Sequence, residues 1–348
     1  MALPAGPRTP ALVNIVRFGR RPLELLRQWQ ARYGDVFTVR MTGFGTGVYV
    51  VDPEAIRELF TGDQSDLRAG EANSFMEPVL GPSSVLILDG PEHLRQRKLL
   101  LPPFQGSRVA AFREVIRDVA EREIASWRSG TQLVLRERMR ALTFEVICRA
   151  VFGVTQPERV ERLRERLVAV IDSSPIFMIA PIARADLGPL SPSGRFARRL
   201  RAADAVLYEE IERRRCEPDL EDRSDVLSLL LRARDEQGQA MTDAELRDEL
   251  FTMLGAGHET TATGLAFAFE LLLRNPPALA RLREELEGGD DDSYLDAVVK
   301  ETLRLRPVID AAERTLTVPR TVAGWDLPAG VRVYPASAYP VRSVWGVS

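Results

Sequence analysis

The residues able to do chemistry in this 348-residue chain fall into a few short strings. Ala256-Gly257-His258-Glu259-Thr260-Thr261, with Gly255 just before it, interrupts an otherwise apolar stretch. In a helix interior each glycine costs roughly 1 kcal/mol against alanine, and a buried Glu or Thr must find a partner or water. A sequence that keeps those features mid-helix gains something there, either close approach of a flat ligand or a distorted turn. In a second string, Glu301-Thr302-Leu303-Arg304, an acid and a base three apart share one helical face. A third, Gly90-Pro91-Glu92-His93-Leu94-Arg95-Gln96-Arg97, sets His93 and Arg97 four apart, again on one face. Arg314 stands alone in Glu313-Arg314-Thr315.

The scarce residues exclude other chemistry. Two histidines, His93 and His258, and two cysteines, Cys148 and Cys216, with no CxxC or HExxH, leave no zinc module or metal hydrolase. Two cysteines make no disulfide framework, which predicts a reducing compartment. Cys148, in FEVICRAVF, fits a core position; Cys216, in RRRCEPD, fits the surface at a helix end. A net charge of −3, from 47 basic and 50 acidic side chains, argues against a nucleic-acid binder. The acidic run Asp290-Asp291-Asp292 lacks the second acidic motif of a diphosphate–Mg²⁺ site and reads as a solvated loop or helix cap. No apolar run near the N-terminus resembles a signal peptide, and 176–183 is broken by Pro181, far short of the ~18 residues a spanning helix needs. A cytoplasmic protein without a membrane span is expected.

Elements must position these strings. Asp35–Arg40 and Val48–Val51 flank a Gly-rich turn and predict a β-hairpin. Apolar residues recur at three and four from about 91 to 156, predicting amphipathic helices, with further helices at 157–172, 194–216, 223–236 and 278–287. Thr242 with Glu245 forms a capping box opening a helix that stops at Asn275-Pro276. Its second half is apolar nearly all round, which predicts a course through the middle of a large core. A helix beginning near Asp292 or Ser293 and ending at Pro307 carries Glu301 and Arg304. TLTVPRTV, GWDLPAG and VRVYPAS predict short C-terminal strands. The balance is mainly α, with a small β region at each end.

The strings AGHETT at 256–261, Glu301-to-Arg304 (ExxR), the 90–97 segment and Glu313-Arg314-Thr315 occur in the order found in the cytochrome P450 family, which the chain resembles over about 30 to 345. The resemblance implies the mainly-α P450 fold in a single domain, residues 1–348. It implies a haem cofactor, with His93, Arg97 and Arg314 suited to its propionates and Ala256 and Gly257 lying against the porphyrin. Glu259 and Thr260 become the acid–alcohol pair that delivers protons during oxygen activation; Glu301 and Arg304 become a buried structural pair. The implied activity inserts one oxygen atom from O₂ into an apolar organic substrate, with electrons from a ferredoxin-type redox partner. A basic stretch at 91–140 suits an acidic carrier, or simply solvates amphipathic helices. Substrate contacts are expected from 68–88, 174–183, Phe251–Thr260 and Val308–Ala312. The family's proximal ligand is a cysteine thiolate in a loop well after ExxR; the sequence as given stops at Ser348 before such a loop. That predicts little or no monooxygenase activity for these residues alone, and leaves an inactive remnant or a non-catalytic apolar-ligand-binding helical protein as the alternative.

Overall fold

The computed structural model describes residues 2–63, 65–105, 107–179, 188–289, 292–309 and 311–336. Its chain order begins with α1 (Ala11–Arg20), α2 (Pro22–Tyr33), β1 (Val36–Met41), β2 (Gly45–Val50), α3 (Pro53–Thr61) and β3 (Leu67–Arg68). It continues with α4 (Ala69–Asn73), α5 (Glu77–Leu80), α6 (Gly90–Leu100), α7 (Ser107–Ala125), α8 (Leu135–Ala150), α9 (Pro157–Ile179) and α10 (Pro192–Arg215). The last elements are α11 (Val226–Arg232), α12 (Asp243–Arg274), α13 (Pro276–Gly288), α14 (Ser293–Leu305), β4 (Arg314–Leu316), β5 (Arg320–Val322), β6 (Trp325–Leu327) and β7 (Arg332–Pro335). No described helix is long and apolar enough to cross a membrane.

The 32-residue α12 is the axis of the fold, ~48 Å long at 1.5 Å per residue. Its start is fixed as the sequence predicts: Thr242 Oγ1 accepts from the Glu245 amide at 3.2 Å, and Glu245 Oε2 accepts from the Thr242 amide at 2.7 Å. It ends at Asn275 because Pro276 cannot continue the ladder. Burial along it differs from the sequence expectation. The buried residues are Leu246–Leu250, Phe251, Thr252 and Leu254, then only His258 and Ala262, while Phe269 and Leu273 are exposed. The apolar second half therefore does not run through a filled core; Gly264, Leu265 and Ala268 on it face a cavity.

Around the first half lies the main core, with Phe144, Ile147 and Cys148 of α8, Leu163 and Leu167 of α9 and Leu207 and Ile211 of α10. Fully burying each such Leu or Phe contributes roughly 1.5–3 kcal/mol. Cys148 is wholly buried and burial pushes its thiol well up, so it packs as a small apolar residue.

Strands from the β regions near the two ends of the chain join in a sheet of order β1-β2-β7-β4-β3, while β5 and β6 pair separately. β2 pairs in parallel with β7, Gly47 opposite Arg332 through Val50 opposite Pro335. Gly47 makes this possible, since a Cβ there would lie 2.0 Å from the Tyr334 ring. Pro10 at the N-cap of α1 and Pro22 at the first position of α2 stand where a missing N–H is harmless. The predicted 223–236 helix is shorter, α11, capped by Asp225 accepting from the Ser228 amide at 3.0 Å. Asp292 is at the α14 N-cap without a side-chain bond. Instead the Glu285 carboxylate of α13 accepts from the Tyr294 and Leu295 amides at 2.8 Å each. Asp290 and Asp291 lie outside the described residues.

Candidate active site

A cavity of about 1210 Å³ opens beside the second half of α12. It is walled by Phe251, Gly255, Ala256, Thr260, Thr261 and Gly264 of α12, by Val79, Leu80, Val85, Leu86 and Leu88, and by Val299, Thr302 and Leu303 of α14. Val308, Ile309, Ala311 and Ala312 complete the expected contacts, while the side chains of 174–183 lie outside the described residues. Three walls carry no sequence signal for this role: Ile15, Phe18 and Gly19 of α1, Met41 and Tyr49 of the sheet, and Tyr334 of β7. The pairing of β2 with β7 sets Tyr334 beside Tyr49, and all four of Ile15, Met41, Tyr49 and Tyr334 belong to one apolar cluster.

Few polar groups enter this apolar space, and two of the three expected propionate donors do. Arg314 lines the cavity from β4; it donates to the Glu313 carbonyl at 2.7 Å and lies over the Phe60 ring at 5.5 Å. It makes no ion pair among the described residues, and its buried Nε has no hydrogen-bond partner there. Burial pulls the guanidinium below its ordinary value, with Asp89 opposing. His93 lines the cavity too, and burial followed by the nearby Arg97 charge holds it neutral more readily than usual. Arg97 is exposed on the same helix and does not line the cavity. Asp89 is engaged, its two oxygens accepting from the Gly70 and Glu71 amides at 2.9 and 2.8 Å, which caps α4.

The AGHETT string divides between two faces of α12. Ala256 and Thr260 face the cavity, and the Thr260 hydroxyl donates to the Ala256 carbonyl one turn back. Gly257 faces α8 instead, where a Cβ would stand 3.1 Å from Ile147 Cδ1; Gly255 is the neighbouring glycine that borders the open space. Glu259 also turns toward α8. Its carboxylate pairs with Arg140 at 2.6 Å and Arg136 at 3.4 Å, and Arg140 reaches Asp172 of α9 at 2.7 Å. His258 is buried beside it, its Nδ1 2.9 Å from Thr143 Oγ1 and its ring edge-on to Phe144. Arg136, Arg140, Thr143 and Asp172 were invisible to motif reading, being spread over α8 and α9 more than eighty residues from Glu259.

Glu301 and Arg304 do pair, through two 2.6 Å bonds. The expectation that the pair is buried is corrected: the side chains are 53% and 44% exposed. On α14 the face bearing Val299, Thr302 and Leu303 meets the cavity, which turns residues 301 and 304 outward, and no described residue covers them.

The cavity suits a haem by the chemistry of its donors. A half-buried guanidinium at Arg314, without an ion pair among the described residues, calls for an anion, His93 adds a second donor, and the apolar walls suit a flat macrocycle. The volume exceeds the roughly 300–1,000 Å³ of ordinary ligand pockets, which leaves room for a substrate beside it.

Fold and motif order point to one class of haem-dependent monooxygenase. The sequence pattern of that class, cytochrome P450, matches residues 4–342, and the chain belongs to this family, whose members are haem monooxygenases using O₂, an organic substrate and redox partners. The chain is similar to cytochrome P450 135B1 of Mycobacterium tuberculosis, 44% identical over 97% of this chain and 72% of that protein. It is 39% identical to cytochrome P450 135A1 of the same organism, over 95% of this chain and 74% of that one. Among solved structures, a cyanobacterial CYP120A1 bound to retinoic acid shares the fold with a TM-score of 0.81 at 24% identity, over 97% of this chain and 78% of that chain.

Proposed function

We propose that the cavity holds haem together with an apolar organic substrate that receives one oxygen atom from O₂. The observation that carries this reading is Arg314, a half-buried cation with no ion pair among the described residues, in the wall of a large apolar space. Arg314 and His93 bind the propionates, with Arg97 adding positive charge from the solvent side. When bound, the haem supplies oxygen activation and insertion. Ala256, Gly255 and Gly264 keep the α12 wall low. Thr260 holds a proton at Oγ1, on the Ala256 carbonyl, at the cavity wall; moving that proton inward requires only that this bond exchange for one to a cavity group. Glu259, held by Arg140 and Arg136 on the α8 side, takes part in replacing that proton only by leaving those partners and turning toward the cavity. Electrons come from a separate ferredoxin-type carrier.

The thiolate ligand is a separate matter. Cys148 is sealed in the core and Cys216 is exposed after α10, and neither lines the cavity. We therefore propose that residues 1–348 bind haem or an apolar ligand without furnishing a thiolate, and do not run the monooxygenase reaction unaided. This position of the cysteines favours the second reading, a non-catalytic apolar-ligand binder, for these residues on their own. Hemin titration followed by the reduced, CO-bound spectrum tests both. Hemin uptake that Arg314→Met weakens supports the cavity assignment; failure to bind hemin overturns it. A haem-thiolate spectrum with substrate turnover overturns the cysteine argument.

A further inference from the structure

The first half of α12 grips one particular stretch of chain. Arg247 donates to the Leu80 carbonyl at 3.0 Å. Asp248 Oδ2 accepts from the Ser83 amide at 2.9 Å, and Glu249 Oε1 accepts from the Val85 amide at 2.8 Å. The Thr252 hydroxyl donates to Ser84 Oγ at 2.7 Å. The approach is so close that Gly81, at φ +91°, has the Asp248 carboxylate 2.0 Å from where a Cβ would stand. This stretch carries Val85, Leu86 and Leu88 into the cavity wall. Secondary structure does not require such a grip: apart from its α12 contacts, the described bonds of the loop 81–89 are short turns, the Asp89 bonds to α4, and one from Asn73 of α4, whose Nδ2 donates to the Leu86 carbonyl at 3.1 Å.

Glu249 is the unusual member. It is wholly buried, and its second oxygen, Oε2, has no hydrogen-bond partner among the described residues. The charges facing it are those of Asp248 and Glu245 on its own helix, both acidic. The loop 81–88 contributes no titratable side chain. The neighbouring cations are taken: Arg95 of α6 by Glu245 and Asp235, and Arg247 by Asp204 of α10 and by Asp248. Burial first, then these like charges, push the carboxyl up to about 8, with the Val85 amide opposing.

We propose that Glu249 is a positioning residue for the ligand cavity: as a neutral carboxyl it keeps 81–88 seated against α12, and its ionisation releases that segment and opens the wall formed by Val85, Leu86 and Leu88. Its consequence for substrate rests on the cavity being the substrate site; the clasp itself does not. The sign follows from linkage. In an opened, hydrated segment the carboxyl titrates near its ordinary 4.5, and in the closed one near 8, so the closed form binds the proton more tightly. Rising pH then shifts the balance toward open by roughly tenfold per unit between those limits.

Amide hydrogen exchange on the 348-residue chain, without haem, reads this directly. After correction for intrinsic exchange, protection of the Val85 and Ser83 amides falls on the order of fiftyfold between pH 5.5 and 7.5. The Leu207 and Ile211 amides of α10 serve as the reference and stay level over the same range. In Glu249→Gln, which cannot ionise, the fall disappears. Binding of the neutral apolar probe N-phenyl-1-naphthylamine weakens in parallel in the wild-type chain only. Flat protection at Val85, or an undiminished fall in Glu249→Gln, overturns the proposal. So does a fall in protection with no change in probe affinity, which would mean the clasp does not shape the cavity. Should Glu249→Gln not fold, the wild-type exchange and probe profiles decide the matter alone. A failure to bind hemin bears on the haem reading and leaves these readouts intact.

Discussion

The two halves of α12 treat polar groups in opposite ways. In the first, Arg247, Asp248 and Glu249 are buried and each takes a partner from the protein: Asp204 and the Leu80 carbonyl, the Ser83 amide, the Val85 amide. In the second, Thr260 and Thr261 border an open cavity whose wall also holds Arg314, a cation with no counter-ion among the described residues. Apart from Glu249 Oε2, those buried carboxylates and the guanidinium are met from within and mark scaffold, whereas the Arg314 cation without an ion pair among the described residues marks a place where a ligand can complete the structure. The Glu301–Arg304 pair is a third case, satisfied but in water, where an ion pair contributes little.

The largest expected effect tests the scaffold side. Arg247→Leu strands Asp204 and Asp248 and is expected to lower stability by about 3–5 kcal/mol in urea unfolding, because one partner of a buried pair is removed. A loss below about 1 kcal/mol would break the contrast between the halves. Next comes the ligand side. Arg314→Met is expected to weaken hemin binding by about tenfold to a hundredfold, or ~1.5–3 kcal/mol, while leaving unliganded stability unchanged or higher. A matching loss of unliganded stability would show that Arg314 is scaffold after all.

Smaller effects sharpen the boundary between the halves, where His258 sits. Burial holds its imidazole below the ordinary 6.5, with Glu259 opposing. The unfolded chain therefore takes up a proton first as pH falls below about 6.5, and stability drops there by at most about 1.4 kcal/mol per pH unit. Urea midpoints from pH 7.5 to 5 are expected to fall more steeply in wild type than in His258→Gln; equal slopes would place His258 in contact with solvent. The smallest effect belongs to the exposed pair: Arg304→Ala is expected to change stability by about 0.5 kcal/mol or less, and a loss near that of Arg247→Leu would show the pair to be buried in solution.

Parts of this were legible from residues alone because they are local. The Thr242–Glu245 capping box, the Pro276 stop, the Gly-rich hairpin turn and the three-residue spacing of Glu301 and Arg304 are set by neighbours along the chain. Family order supplied the site strings. Which way each side chain of AGHETT points was not legible, since a turn of 100° per residue sends Thr260 to the cavity and Glu259 to α8, and the chain's packing decides which face is which. The apolar second half of α12 misled for a related reason: a helix wall facing a ligand space and one facing a filled core have the same composition.

The sequence by itself determined the two ends of α12, the family and the residues from which a site could be made, because caps, periodicity and motif spacing depend on contacts within a few residues. Only the tertiary structure decided that β2 and β7 pair across most of the chain's length, that Arg140 holds Glu259, that Arg314 has no counter-ion among the described residues and that Glu249 is sealed against the Val85 amide. Those outcomes depend on which surfaces exclude water from one another. Water exclusion is a property of packing between distant segments and leaves no mark at any single position.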